Sequence, residues 1–220
     1  MTWTLPNILT VLRLLAAIAV GVVFAIFPRP IADWVALILF IGAATTDYLD
    51  GYLARKWAQV SRFGAMLDPI ADKAMVVIAL AILVGLFDLS VALITPVVLI
   101  LFREVFVSGL REFLGADAGR LKVTKLAKWK TMVQMVAIIM LFARGLFDHY
   151  FAMQTLGMNA EIVSGILNGA IHDDVGLGWK FSGLMLSSYG GLVLLWCAAA
   201  LTLLTGLDYF RKAMPYLTER

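Results

Sequence analysis

Cysteine, histidine and charge are all scarce in this chain of 220 residues, and each scarcity narrows what it can be. The one cysteine, Cys197, lies in an apolar run; it excludes a disulfide framework and reads as a packing residue. The two histidines, His149 and His172, fit no metal-ligand spacing. Charged residues make up only 15% and the net charge of +3 is modest, so no nucleic-acid partner is expected. Internal repeats and low-complexity segments are lacking too.

What is abundant is apolar surface: 62% of the residues, against about 45–50% in soluble domains. That excess is too large for one soluble core. The chain reads as a single polytopic, all-α integral membrane domain over residues 1–220, with six transmembrane helices. A short interfacial lead-in, Met1 to Asn7, places Trp3 and Leu5 at headgroup level. The expected spans are 8–27, 32–55, 68–87, 91–112, 128–147 and 182–208, each near the ~20 residues that cross a bilayer. No Lys or Arg precedes Arg13 and no small-residue cleavage site follows the first apolar run, so a removable signal peptide is not expected. The outer segment, 148–181, contains MNAEIVSGILNGAI, read as a short amphipathic helix lying on the membrane, and HDDVGLG, read as turn.

An even number of spans puts both termini on one side. With that side cytoplasmic, only Arg29, Arg144 and Lys180 of the 18 Lys and Arg fall outside, as the positive-inside rule requires. This places the stretch Asp47–Lys73 at the cytoplasmic ends of spans two and three. Both termini and this stretch of the multi-pass protein are then expected on the cytoplasmic side.

That stretch, DYLDGYLARKWAQVSRFGAMLDPIADK, carries Asp47, Asp50, Asp68 and Asp72. An ionised carboxylate at bilayer depth costs several kcal/mol unless paired or solvated. Spacings of three and four put each pair on one helical face. One reading is a charged rim neutralised by Arg55, Arg62 and Lys73. The other is a site for two hard divalent cations, Mg2+ or Mn2+, which oxygen-only ligands suit. Gly51 and Ala54 keep the neighbouring wall low for a substrate, and Gly64 is expected to do likewise. Arg55 offers a planar fork for a phosphate oxygen. Pro69 fits the first turn of a helix beginning near Asp68.

The full pattern, D-x2-D-G-x2-A-R-x8-G-x3-D-x3-D, resembles the signature of the CDP-alcohol phosphatidyltransferases residue for residue. The resemblance implies that family's fold. It also implies that Asp47, Asp50, Asp68 and Asp72 hold two divalent cations, that Asp72 is the base for the acceptor hydroxyl, and that the protein is a homodimer. Two ions a few ångströms apart hold a diphosphate and stabilise both the attacking and the leaving oxygen. Carboxylate pKa values normally lie far below 7, so a base role needs a raised pKa or a hydroxyl acidified by metal or phosphate.

The signature names the donor class and leaves the acceptor to other residues. REVFVSGLRE carries Arg103 and Arg111 on broadly one side, with Glu104 placed to orient Arg111. GRLKVTKLAKWKTMVQM adds Arg120, Lys122, Lys125, Lys128 and Lys130. Both segments, and the opening LPNILTVLRL, resemble the branch of the family whose acceptor is sn-glycerol 3-phosphate. That resemblance covers most of residues 5–140 and is weak from Asp148 onward. It implies transfer of phosphatidyl from CDP-diacylglycerol to sn-glycerol 3-phosphate, giving phosphatidylglycerophosphate and CMP. A dianionic acceptor calls for several cations, for which Arg103, Arg111, Lys128 and Lys130 are candidates. Arg120, Lys122 and Lys125 read as positive-inside charges or anionic-lipid contacts. The alternatives are a sister enzyme acting on inositol phosphate, serine or phosphatidylglycerol, and a non-enzymatic cation transporter.

Asn7, Thr10 and Arg13 form one helical stripe with two readings. They are an N-cap, a Thr bonded to its own helix and an interfacial Arg; or they are a polar wall, with Asn7 and Thr10 facing CDP-diacylglycerol and Arg13 among the acceptor's cations. Ile41 to Thr46, IGAATT, reads as a close-packing surface. The ten Met residues read as lipid-facing and core filler.

Overall fold

Long apolar runs must satisfy their backbone internally in a bilayer, and helices do so within one segment. The computed structural model describes residues 4–56, 61–87, 90–115 and 125–218; the side chains of 47–56 and of Pro6, Lys125, Ala127, Lys128 and Thr218 lie outside the described set. Among the described residues the chain is helical throughout, with no strand. In order, the elements are α1 (Leu5–Ile26), α2 (Ile31–Lys56), α3 (Arg62–Leu86), α4 (Val91–Leu114), α5 (Lys125–Thr155), α6 (Ala160–Leu167), α7 (Leu177–Met185), a π turn (Leu186–Gly190) and α8 (Gly191–Thr218). Five segments are long and apolar enough to cross a membrane: Asn7–Ile26, Arg62–Leu86, Val91–Leu114, Trp129–Thr155 and Leu177–Leu217; a shorter apolar helix covers Ile31–Thr46. The protein is an all-α, multi-pass membrane protein with the six expected apolar helices.

Several boundaries differ from expectation, each for a local reason. α1 begins at Leu5 behind Thr4, with Pro6 in its first turn, where a missing N–H costs nothing. Asn7 is therefore inside the helix and is not its N-cap. α3 begins at Arg62 rather than near Asp68, because Ser61 caps it: the Gly64 N–H donates to Ser61 Oγ at 2.9 Å. Pro69 consequently lies inside α3 rather than in its first turn. α5 continues through Asp148 to Thr155, and its 31 residues at ~1.5 Å each exceed the ~30 Å hydrocarbon core. α7 starts at Leu177, ahead of the expected span at 182. Its first N–H groups are taken by Asp173, which accepts from Leu177 at 2.7 Å and Gly178 at 2.8 Å. Those two bonds, Gly178 first, hold the Asp173 carboxyl below the usual range. Within the outer segment, α6 is the short helix expected, capped by Asn159 Oδ1 accepting from the Ile162 N–H.

Two compact units are discernible: Met1–Leu83 with Ile139–Gly191, and Val84–Ile138 with Leu192–Arg220. In the first, Phe40 and Phe142 are fully buried with ring centroids 5.8 Å apart. α1 there is inverted relative to a helix on a soluble protein. Leu5, Ile8, Leu12, Leu15, Ile18, Val22 and Ile26 are exposed, whereas Asn7, Thr10, Arg13, Ala17 and Val20 are buried. In the second unit, Trp196 donates to the Ala92 carbonyl at 2.9 Å and Phe106 lies 5.7 Å from Phe210. These contacts set α4 and α8 parallel. Two packing expectations change. Cys197 is exposed rather than packed. In IGAATT only Ala43 is buried, and a Cβ at Gly42 would meet nothing within 4 Å.

One corner of the first unit is held by charge. Arg29 grips Asp33 with both nitrogens, Nε to Oδ2 at 2.8 Å and Nη2 to Oδ1 at 2.7 Å. Asp33 is fully buried, and a Cβ added at Gly145 would land on Arg29 Nη2 and Asp33 Oδ1. Gly145→Val is expected to break this pair and destabilise the protein by about 3–5 kcal/mol, the usual loss when a buried ion pair loses a partner. Thermal unfolding in detergent reads it directly; an unchanged midpoint would show that the pair does not hold this corner.

Candidate active site

The polar stripe of α1 faces α3, rung by rung. Ser61 Oγ donates to Asn7 Oδ1 at 2.7 Å. Thr10 Oγ1 donates to Asp68 Oδ1 at 2.7 Å. Arg13 Nη1 donates to Asp72 Oδ1 at 2.7 Å. Further along, a Cβ at Gly21 would lie 3.3 Å from Ile78. The partners advance together along both helices, so α1 and α3 run parallel. Thr10 and Arg13, three apart on α1, meet Asp68 and Asp72, four apart on α3.

Thr10 is bonded to a carboxylate of α3, and Arg13 is buried, being 2% exposed. Arg13, a candidate from sequence for the acceptor's phosphate, is bonded to Asp72. Gly64 does not form an open wall. It is buried, and a Cβ there would lie 2.8 Å from Asn7 Oδ1 and 3.2 Å from Ser61 Oγ. The glycine is what lets Asn7 and the start of α3 approach. Ser61 is the residue that sequence reasoning missed here; its place three residues before Gly64, ahead of an apolar run, was the available signal.

Asp68 and Asp72 are only partly buried, and the Asp72 side chain is 48% exposed. A carboxylate that accepts one hydrogen bond keeps further acceptor capacity. The donor set is oxygen only, which fits a hard divalent cation. Among the described residues no three His, Cys, Asp or Glu side chains gather. Asp47, Asp50, Gly51, Ala54 and Arg55 occupy α2, and their side chains lie outside the described residues.

The second unit holds a separate cationic cluster. Glu104 accepts from Lys130 Nζ and, at 3.2 Å, from Arg103 Nη1. Arg103 Nη2 also reaches Thr205 Oγ1 at 3.4 Å. Gly206 makes room for the arginine stem, since a Cβ there would sit 3.0 Å from Arg103 Cγ. Among the described residues, two cations therefore share this carboxylate in a largely buried setting. Sequence pattern places Glu104 beside Arg111; the structure gives it Arg103 and Lys130 as partners, and Arg111 is exposed in the last turn of α4. Thr205 and Gly206 were not singled out, since nothing in an apolar C-terminal helix marks them. Lys128 lies in α5 with its side chain outside the described residues, as is that of Lys125; Arg120 and Lys122 are outside them altogether.

Comparison with known proteins identifies the family of the chain. The family model for CDP-alcohol phosphatidyltransferase matches residues 3–167. A Cereibacter sphaeroides protein named CDP-diacylglycerol–glycerol-3-phosphate 3-phosphatidyltransferase is 58% identical over 100% of this chain and 99% of its own. Proteins of the same name from Rickettsia bellii and Pectobacterium atrosepticum are 36% and 39% identical. The first alignment covers 96% of both chains, and the second covers 66% of this chain and 79% of the relative. The chain belongs to the CDP-alcohol phosphatidyltransferase family.

Proposed function

We propose that this protein transfers the phosphatidyl group of CDP-diacylglycerol to sn-glycerol 3-phosphate, giving phosphatidylglycerophosphate and CMP. The observation that carries the reading is the end-to-end 58% identity to a relative named for that reaction. The carboxylate, glycine and arginine spacing of α2 and α3 supports it, as does a cluster of cations suited to a phosphate acceptor.

Asp47, Asp50, Asp68 and Asp72 would hold two divalent cations, Mg2+ or Mn2+. When bound, these offset the charge of the donor's diphosphate and of the developing oxyanion. Gly51 and Ala54 leave the donor's phosphates room against α2, and Arg55 grips one of their oxygens. Asp72 takes the proton of the acceptor's primary hydroxyl. That oxygen then forms a bond to the phosphorus nearer the diacylglycerol, the bond from this phosphorus to the bridging oxygen breaks, and CMP departs with that oxygen. Arg103, Lys130, Lys128 and Arg111 hold the acceptor's phosphate. Glu104 keeps Arg103 and Lys130 together so that their charge is not spent on solvent. The reaction takes place at the cytoplasmic face of a bacterial inner membrane, with both termini on that side, a placement supported by the Lys and Arg distribution and by bacterial relatives. The family resemblance supports a homodimer.

CMP release from CDP-diacylglycerol by purified protein with Mg2+ or Mn2+ is expected with sn-glycerol 3-phosphate. It is not expected with inositol phosphate, serine or phosphatidylglycerol. Release with one of those and none with glycerol 3-phosphate would make the protein a sister enzyme. Lys130→Met is expected to raise the KM for glycerol 3-phosphate by roughly 10- to 100-fold, the worth of a charge-assisted hydrogen bond. The KM for CDP-diacylglycerol should hold steady, and a parallel rise in both constants would count against an acceptor role for Lys130.

A further inference from the structure

We infer that Thr10 and Arg13 are positioning residues for the carboxylates of α3, setting Asp68 and Asp72 in place for divalent cations rather than touching a substrate. The inference rests on the reading of those aspartates as cation ligands.

The argument begins with burial. Thr10 and Arg13 are 1% and 2% exposed, whereas the Asp72 side chain that Arg13 holds is 48% exposed. Here the donors are locked in packing, and the carboxylates reach outward from them. Each aspartate gives one carboxylate oxygen to α1, at 2.7 Å. A carboxylate free to rotate about its side-chain bonds loses that freedom when one oxygen is tied to a fixed donor, and its remaining lone pairs acquire a set direction.

The base of the arrangement is fixed as well. Asn7 is 4% exposed, it accepts from Ser61, and Ser61 in turn caps α3 through Gly64. Gly64 keeps this rung short, since a Cβ there would crowd Asn7. The register between α1 and α3 is therefore pinned below the two aspartates. The offset of three residues on one helix against four on the other is absorbed by two side chains of different reach, a short hydroxyl and a long guanidinium. Arg13 adds a second effect. Several carboxylates crowded at one site repel one another, and a guanidinium held against one of them offsets part of that repulsion whether or not cations are bound. Its planar fork gives a direction as well as a charge, which lysine would not.

The test is Mn2+ binding to the purified full chain in detergent without substrates, followed by paramagnetic resonance. Thr10→Val keeps shape and removes the donor; Arg13→Gln removes the charge. Each is expected to weaken Mn2+ binding by roughly 10- to 100-fold, the usual loss when a group that orients a metal ligand is removed. Arg13→Lys is expected to recover part of the loss. In turnover assays kcat should fall and the Mn2+ requirement should rise, with the KM for glycerol 3-phosphate unchanged. Size-exclusion profiles and thermal midpoints identify any variant that has not folded; the conservative Thr10→Val then decides. Unchanged Mn2+ affinity in folded Thr10→Val and Arg13→Gln overturns the inference. So does a raised KM for glycerol 3-phosphate with Mn2+ affinity intact, which would return Arg13 to the acceptor. Loss of Mn2+ binding in the variants supports the inference even if another alcohol proves to be the acceptor, so it and the proposed reaction fail separately.

Discussion

A cation buried within a membrane-spanning helix must find its counter-charge inside the protein, because the bilayer supplies none. Arg13 meets that requirement at Asp72, across 2.7 Å. Much of the first unit follows from it. α1 has to turn its polar stripe inward and its leucines outward, α3 has to run beside it in parallel, and Gly64 has to be small enough for the two to close. The carboxylates that α3 presents are thereby fixed from behind by a helix that contributes no carboxylate of its own.

The two units treat charge in opposite ways. In the first, buried neutral and cationic donors steady carboxylates that remain partly exposed. In the second, among the described residues, one carboxylate, Glu104, is shared by two cations, Arg103 and Lys130. A surplus of negative charge suits divalent cations and a surplus of positive charge suits a phosphate.

Hydropathy made the apolar helices legible, and residue spacing made the α2–α3 signature legible, because both are periodic along the chain. What was not legible depended on single local bonds or on partners far away. α3 starts early because one serine caps it, and α7 starts early because Asp173 collects its first N–H groups. The stripe Asn7–Thr10–Arg13 could be seen, but not what it faced, since the residues it meets are more than fifty positions away. Gly64 shows the same limit. Its place in the signature reads equally well as room for a substrate or room for a neighbouring helix, and only the position of Asn7 separates the two.

The sequence distance between Arg13 and Asp72 also bears on how the protein is made. The two are 59 residues apart, and at ribosomal speeds of about 5–20 residues per second that is an interval of roughly 3 to 12 seconds. Through that interval α1 has emerged while its counter-charge has not yet been synthesised. The guanidinium has to wait near the headgroups or in the insertion machinery, drawn toward phosphate and water. It can take up its buried place only when α3 arrives alongside. Completing the carboxylate site and committing α1 to its final depth are thus one event in the birth of the chain.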